Sequence, residues 1–183
     1  MRIHADSAIF SVLETVQLFQ QLDREELMDL ARATTMSELE ENEPLFQEGD
    51  AALDVMFIMS GSIRLTCDIG EGPEIVVGYV HSGDILGEMA VIDPAPRSAS
   101  ARAAEASVVL HVPAEAFNDF LAQGHPVART LLVGIRQMMT QRIRILNERI
   151  GALFLIDAET ADVDDVSMGQ RLRDIWSTVR SGG

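Results

Sequence analysis

Residues 83–99 read GDILGEMAVIDPAPRSA, and this stretch decides how the rest of the chain is interpreted. Gly87 allows close backbone approach, and the residues after it can open a short helix whose free N–H groups attract phosphate. Pro94 and Pro96 break that helix and force an extended return. The return brings Arg97 alongside the same N–H groups, where its planar guanidinium can bind two phosphate oxygens.

Glu88 stands directly beside this predicted anion pocket. A carboxylate is unfavourable there unless hydroxyl groups donate hydrogen bonds to it, and a ribose supplies such hydroxyls. Anion donors, an arginine and a hydroxyl acceptor within one segment therefore predict a pocket for a sugar phosphate. The alternative is that the Gly-Asp-x-x-Gly-Glu turn simply closes a hairpin beside a surface arginine.

The residues around this stretch predict a β-rich core between helices. Apolar residues at helical spacing occur from Ile9 to Met36 and again from Ala114 onward. Asp23 and Glu26 have the spacing of a capping box, which predicts the start of a second short helix. Between these regions lie short apolar and β-branched runs, separated by glycine-containing turns, at 55–59, 63–67, 75–80 and 107–112. We therefore predict an α+β fold with a single jelly-roll barrel.

We divide the 183 residues into four predicted segments. The hydrophobic fraction of 47% is enough for one domain to bury its own core without metals or disulfides. The segments are an N-terminal helical part (1–37), the β jelly-roll core (38–125), a long helix (126–157), and an acidic linker with a short amphipathic tail helix (158–183).

The end of the long helix has the spacing of a coiled-coil seam. Its apolar residues follow intervals of 4, 3, 4 and 3 over about two heptads: Met139, Ile143, Leu146, Ile150 and Leu153. This pattern favours a homodimer, and the alternative is a helix packed on its own barrel. In the tail, Trp176 would anchor the last helix on this barrel, on the dimer mate or on another protein.

Charge and composition restrict the partners. A net charge of −15, from 14 arginines, no lysine and 29 acidic residues, opposes the nucleic-acid backbone. Only 26 residues follow Asp157, too few for a winged helix-turn-helix, so we predict no direct DNA binding. No apolar run approaches the 18 or so residues of a membrane span. A single cysteine and no signal-peptide pattern predict a cytoplasmic protein.

The sequence argues against an enzyme. A jelly-roll metal enzyme needs clustered histidines, whereas His4, His81, His111 and His125 are scattered without an H-x-H pair. We interpret His81 and His111 as strand or edge residues, and Cys67 as a buried inert thiol. The sequence contains no G-x-S-x-G, P-loop or H-E-x-x-H motif. We therefore expect no catalytic residue, no metal site and no cofactor.

The stretch after Leu86 resembles the phosphate-binding cassette of cyclic nucleotide-binding domains. The match is G-E-x-A at residues 87–90 and P-R-S-A at residues 96–99. Residues 45–50 resemble the family's early strand and glycine turn, and residues 57–63 resemble its next hairpin. The resemblance covers roughly residues 10–155, and a compound signal of that length is more specific than a single short motif.

The resemblance implies the roles of the site residues. Glu88 would accept the ribose 2′-hydroxyl, and Arg97 would pair with the cyclic phosphate. The rest of the phosphate site would consist of backbone groups around Gly87, Met89 and Ala90, with the hydroxyl and amide of Ser98. The implied ligand is cyclic AMP, and cyclic GMP is the alternative.

In this family the long helix after the barrel covers the base. One alignment places Leu146 and Asn147 there, and Asn147 could meet a purine edge, whereas a shifted register would give this role to Ile143 and Arg144. The predicted function is a stand-alone receptor module that transmits ligand occupancy through its C-terminal helix to a partner protein. The alternative is a vestigial pocket in a ligand-independent interaction or dimerisation module.

Overall fold

The computed structural model describes residues 2–3, 6–70, 72–93 and 95–160. It contains two compact units, Met1–Met138 and Met139–Gly183, and each is described by itself. The predicted linker and tail helix, with Trp176, lie outside the described residues from 161 onward.

The helices occupy the two ends of the chain and one short stretch in the middle. They are α1 (Asp6–Leu13), a short 3-10 helix (Gln17–Phe19), α2 (Arg24–Ala33), α3 (Met89–Ile92), α4 (Ala114–Ala122) and α5 (Pro126–Thr160). At the start of α2, the Asp23 carboxylate accepts hydrogen bonds from the N–H groups of Glu25 and Glu26. The Glu26 carboxylate accepts one from the Asp23 N–H, which confirms the predicted capping box.

The strands form two antiparallel sheets. The first sheet has the order β1 (Arg2–Ile3), β2 (Thr35–Leu39), β9 (Ser107–Pro113), β4 (Asp54–Ser60) and β7 (Ile85–Leu86). The second has the order β3 (Pro44–Phe46), β8 (Ser100–Ala103), β5 (Ser62–Cys67) and β6 (Ile75–His81). The α+β jelly-roll fold predicted from the sequence is confirmed.

The core lies between the inner faces of these sheets. Alternate residues of a strand point to the same face, so each strand contributes every second side chain. The buried cluster consists of Leu39, Met56, Ile58, Leu86 and Val109 from the first sheet and Ile63, Val80, Ala101 and Ala103 from the second. Leu45, Phe46 and Leu65 pack against it.

The predicted hairpin at residues 57–63 is wrong in its pairing. β4 pairs with β7 and β9, whereas β5 pairs with β6 and β8 in the other sheet. Gly61, with φ of +80°, is the corner where the chain changes sheets. A Cβ at Gly61 would collide with the backbone and side chain of Ser107, so the close approach of two chain segments requires glycine here.

Two segment boundaries differ from those predicted from the sequence, and the first segment also contains a short strand. β2 starts at Thr35, inside the segment 1–37 that was expected to be helical, because it pairs along its whole length with β9. β1 adds a second short strand to that segment. The last helix continues to Thr160 rather than ending at 157, since residues 158–160 contain no glycine or proline to stop it.

Among the helices in the described ranges, none has both the length and the apolar character that crossing a bilayer requires.

Candidate functional site

The predicted pocket begins where β7 ends. Gly87 follows Leu86 with φ of +79°, a left-handed conformation that side chains rarely adopt. A Cβ added to Gly87 would collide with Nη1 of Arg97 and would lie 2.9 Å from the carbonyl oxygen of Asp54. Gly87 therefore leaves the space that the arginine head occupies, and the predicted meeting of these two residues is present.

A single helical turn follows the glycine, as predicted. The Ala90 N–H donates to the Gly87 carbonyl over 3.1 Å, and the Val91 N–H donates to the Glu88 carbonyl over 3.2 Å. The amide of Ala90, one of the groups expected to bind phosphate, thus has an acceptor inside this turn. Glu88 is half-buried, Met89 is exposed and Ala90 is buried.

The chain then passes beside the Gly49 turn. The Arg97 N–H donates to the Asp50 carbonyl over 2.8 Å, and the Arg97 carbonyl accepts from the Gly49 N–H over 2.9 Å. Two backbone hydrogen bonds therefore fix the Cα of Arg97. The next residue, Ser98, is exposed, and its carbonyl lies 3.5 Å from the Cys67 sulfur.

The guanidinium of Arg97 is buried but only partly paired. Arg97 is 8% exposed. Its Nη2 forms an ion pair with Oδ1 of Asp54 and donates a hydrogen bond to the Asp54 carbonyl oxygen over 3.2 Å. Its Cζ lies 4.5 Å from the centre of the Phe46 ring, a cation–π contact. Nε and Nη1 are buried without a hydrogen-bond partner among the described residues. Unpaired buried donors cost free energy, so these two atoms favour an anionic acceptor at this site.

Asp54 and His111 belong to this site, and sequence reasoning missed both of these roles. Oδ2 of Asp54 lies 2.8 Å from Nδ1 of His111, and Nε2 of His111 lies 2.7 Å from Oγ of Ser37. His111 is 3% exposed in the middle of the first sheet, so it is a strand residue and not an edge residue. The only signals for these roles in the sequence were an acidic residue at the start of one apolar strand and a histidine inside a second apolar strand.

The other predicted residues lie elsewhere. Asn147 is exposed on α5 in the second unit, so its contact with a base stays a prediction. In the same unit Ile143 and Leu146 are 56% and 57% exposed. Cys67 is half-buried and not fully buried as expected. Within the described ranges, no group of three or more histidine, cysteine or acidic side chains could hold a metal ion.

Comparison with known proteins identifies the family of this fold. Residues 36–124 match the family model described as the cyclic nucleotide-binding domain. A structure of a cyclic nucleotide-binding-like protein from Brucella abortus is 30% identical, with 63% of this chain and 98% of the other covered and a TM-score of 0.51. The chain belongs to this family. A crystal structure of a cyclic nucleotide-binding domain from Methylobacillus flagellatus superposes on it with a TM-score of 0.66 and 26% identity, covering 79% of this chain and 82% of the other.

Curated relatives are longer than this chain. The cAMP-activated global transcriptional regulator CRP of Salmonella typhimurium is 28% identical over 114 residues, which are 62% of this chain and 52% of the regulator. The patatin-like phospholipase domain-containing protein 7 of Rattus norvegicus is 27% identical over 150 residues, 78% of this chain but 11% of that protein. The chain therefore spans about half or less of these relatives, and the expectation that it is not an enzyme stays a prediction.

Proposed function

We propose that this domain is a receptor for a cyclic nucleotide. The observation that carries the proposal is the buried Arg97, whose Nε and Nη1 lack partners among the described residues although the whole protein has a net charge of −15. An acidic protein repels an anion at long range, so a local buried cation is needed to hold one. Gly87 adjoins this arginine, and Glu88 follows the glycine in the sequence pattern of the family.

In the proposed complex, Arg97 binds the cyclic phosphate through the two unpaired donors. Glu88 accepts the ribose 2′-hydroxyl, and the exposed Ser98 donates its hydroxyl to the phosphate. The backbone around Gly87, Met89 and Ala90 completes the phosphate site. The contact of Asn147 with the purine edge is a prediction from the sequence.

The preferred ligand is cyclic AMP, and cyclic GMP is the alternative. Support for cyclic AMP comes from the similarity to a transcriptional regulator named as cAMP-activated, and from a serine directly after the arginine.

The domain transmits ligand occupancy to a partner through its C-terminal part. Ile143 and Leu146 lie on the predicted seam and are exposed within the second unit, which supports a homodimer through this helix. The tail with Trp176 then contacts a partner protein. The acidic composition supports a protein partner rather than DNA, and a cytoplasmic location stays a prediction from the cysteine count.

The second candidate is a vestigial pocket in an interaction module. The observation that favours it is the ion pair between Arg97 and Asp54, because this pair already gives the arginine an anionic partner. The two candidates differ in one measurable property, which is the affinity for the nucleotide.

Calorimetric titration of the whole chain with cyclic AMP and cyclic GMP separates these candidates. We expect saturable binding of one nucleotide per chain, with cyclic AMP bound more tightly than cyclic GMP. If neither nucleotide gives a binding heat at millimolar concentration, the receptor function is contradicted and the vestigial module is favoured.

A truncated protein that ends at residue 157 is expected to retain nucleotide binding and to lose the partner protein in a pull-down.

A further inference from the structure

A buried row of polar side chains continues behind the arginine, across three neighbouring strands. β2, β9 and β4 are adjacent in the first sheet, and they carry Ser37, His111 and Asp54 respectively. In the register, Ser37 lies opposite Val109 and Met56 lies opposite His111, so Ser37 and Asp54 are diagonal neighbours of the histidine. Each of the three lies two residues along its strand from a core residue: Leu39, Met56 and Val109.

These polar groups therefore share the inner face of the sheet with the apolar core. Ser37 is 6% exposed and His111 is 3% exposed. Polar groups in such a place are retained only when they are hydrogen-bonded, and here each has a partner at 2.7 or 2.8 Å.

The chemistry fixes the direction of these hydrogen bonds. An ionised Asp54 only accepts, so Nδ1 of His111 carries the proton and donates to Oδ2. In the neutral imidazole Nε2 is then the acceptor, and the Ser37 hydroxyl donates to it. The row has one consistent direction, from Ser37 through His111 to Asp54.

The two oxygens of Asp54 thus have different partners. Oδ1 pairs with Nη2 of Arg97, and Oδ2 accepts from His111. A carboxylate with both oxygens available forms a two-pronged pair with a guanidinium, which uses two of the arginine donors. With Oδ2 directed to His111, Asp54 engages the terminal nitrogen Nη2 of the arginine, and Nε and Nη1 have no partner among the described residues.

We propose that His111 is a positioning residue for the ligand: by holding Oδ2 of Asp54, it prevents a two-pronged Asp54–Arg97 pair and keeps two donors of Arg97 available to the phosphate. This inference rests on the proposed function. Serine, histidine and aspartate in this order also resemble a hydrolytic triad. A nucleophile must reach its substrate, however, and Ser37 is buried on the face that carries the apolar core.

Substitution of His111 tests the role. His111→Phe keeps a ring in the core but removes the donor to Asp54, and we expect cyclic AMP affinity to fall about tenfold in calorimetry of the full chain. His111→Asn places an amide N–H near the position of Nδ1 and is expected to stay within about threefold of the wild type. His125→Phe is the matched control, since His125 is half-buried and contacts Asp29 and Phe120 rather than the arginine.

A double-mutant cycle distinguishes positioning from packing. Lysine at position 97 has no planar fork, so in an Arg97→Lys background we expect His111→Phe to change affinity less than about twofold. Equal losses in both backgrounds, equal losses in His111→Phe and His111→Asn, or unchanged affinity in His111→Phe would overturn the positioning role.

The outcomes for the wild type separate this inference from the proposed function. Failure of the wild-type chain to bind either nucleotide overturns both, whereas wild-type binding with unchanged affinity in His111→Phe overturns the positioning role alone.

If His111→Phe does not fold, as judged by thermal unfolding, Ser37→Ala replaces it because it removes only one oxygen. We expect about a threefold loss from Ser37→Ala, and unchanged affinity would contradict the proposal.

Discussion

At the scale of single residues, the site depends on what surrounds one buried cation. The sequence motif was sufficient to predict that Gly87 and Arg97 meet, because these two residues are only ten positions apart in one local turn and return. It was insufficient for Asp54 and His111, which lie 57 positions apart and meet through the pairing of β4 with β9. Strand register, which a single sequence does not specify, decides which distant polar residues become neighbours.

Glu88 provides a prediction at this scale. Glu88→Gln replaces a charged acceptor by a neutral one, so cyclic AMP affinity should fall by about tenfold or more, since hydrogen bonds to charged groups contribute about 1.5–3 kcal/mol. The affinity for 2′-deoxy-cyclic AMP should change little, because that nucleotide lacks the hydroxyl. Calorimetry with both nucleotides measures the difference, and Glu115→Gln on the surface of α4 is the control. Equal losses for the two nucleotides would contradict the ribose contact.

At the scale of elements, periodicity and turn residues predicted the longer strands and the terminal helices. They missed β1, β3, β7 and β8, because elements of two to four residues are too short to show alternation. They also missed β2, which begins inside the segment that was expected to be helical. The family resemblance implied a hairpin at residues 57–63, although Gly61 leads the chain into the other sheet. A glycine between two apolar strands is compatible with both arrangements, and packing of the two sheets selects one.

The turn between β7 and α3 gives a prediction for an element. Gly87→Ala and Gly83→Ala both force a side chain into a left-handed conformation, at φ of +79° and +91°, and each should lower the free energy of unfolding by roughly 1–2 kcal/mol. Only at Gly87 does the new Cβ collide with Arg97, whereas nothing lies within 4 Å at Gly83. We therefore expect Gly87→Ala alone to lose cyclic AMP binding.

Denaturant unfolding and calorimetry on the same two variants check this expectation. Cyclic AMP binding by Gly87→Ala with wild-type affinity would show that the arginine does not need the space above the glycine.

At the scale of the whole molecule, the proposal requires a surface through which ligand occupancy is passed on. The seam residues Ile143 and Leu146 are exposed in the second unit, and an apolar stripe at heptad spacing is stabilised when a second copy covers it. We expect a dimer in sedimentation equilibrium at micromolar concentration. Ile143→Glu should shift the protein to monomer, whereas Leu121→Glu, at an equally exposed position on α4, should leave the dimer intact. A wild-type monomer at all concentrations would contradict the seam.

The charge of the whole molecule makes the role of Arg97 decisive, since 29 acidic residues oppose any anion. The most direct measurement is therefore a calorimetric titration of cyclic AMP into wild-type protein, Arg97→Ala and Arg102→Ala, the last being an arginine on β8 that donates to the Asn42 carbonyl. We expect Arg97→Ala to lose about tenfold to hundredfold in affinity, and Arg102→Ala to bind like the wild type. Equal affinity of wild-type and Arg97→Ala protein would contradict the account.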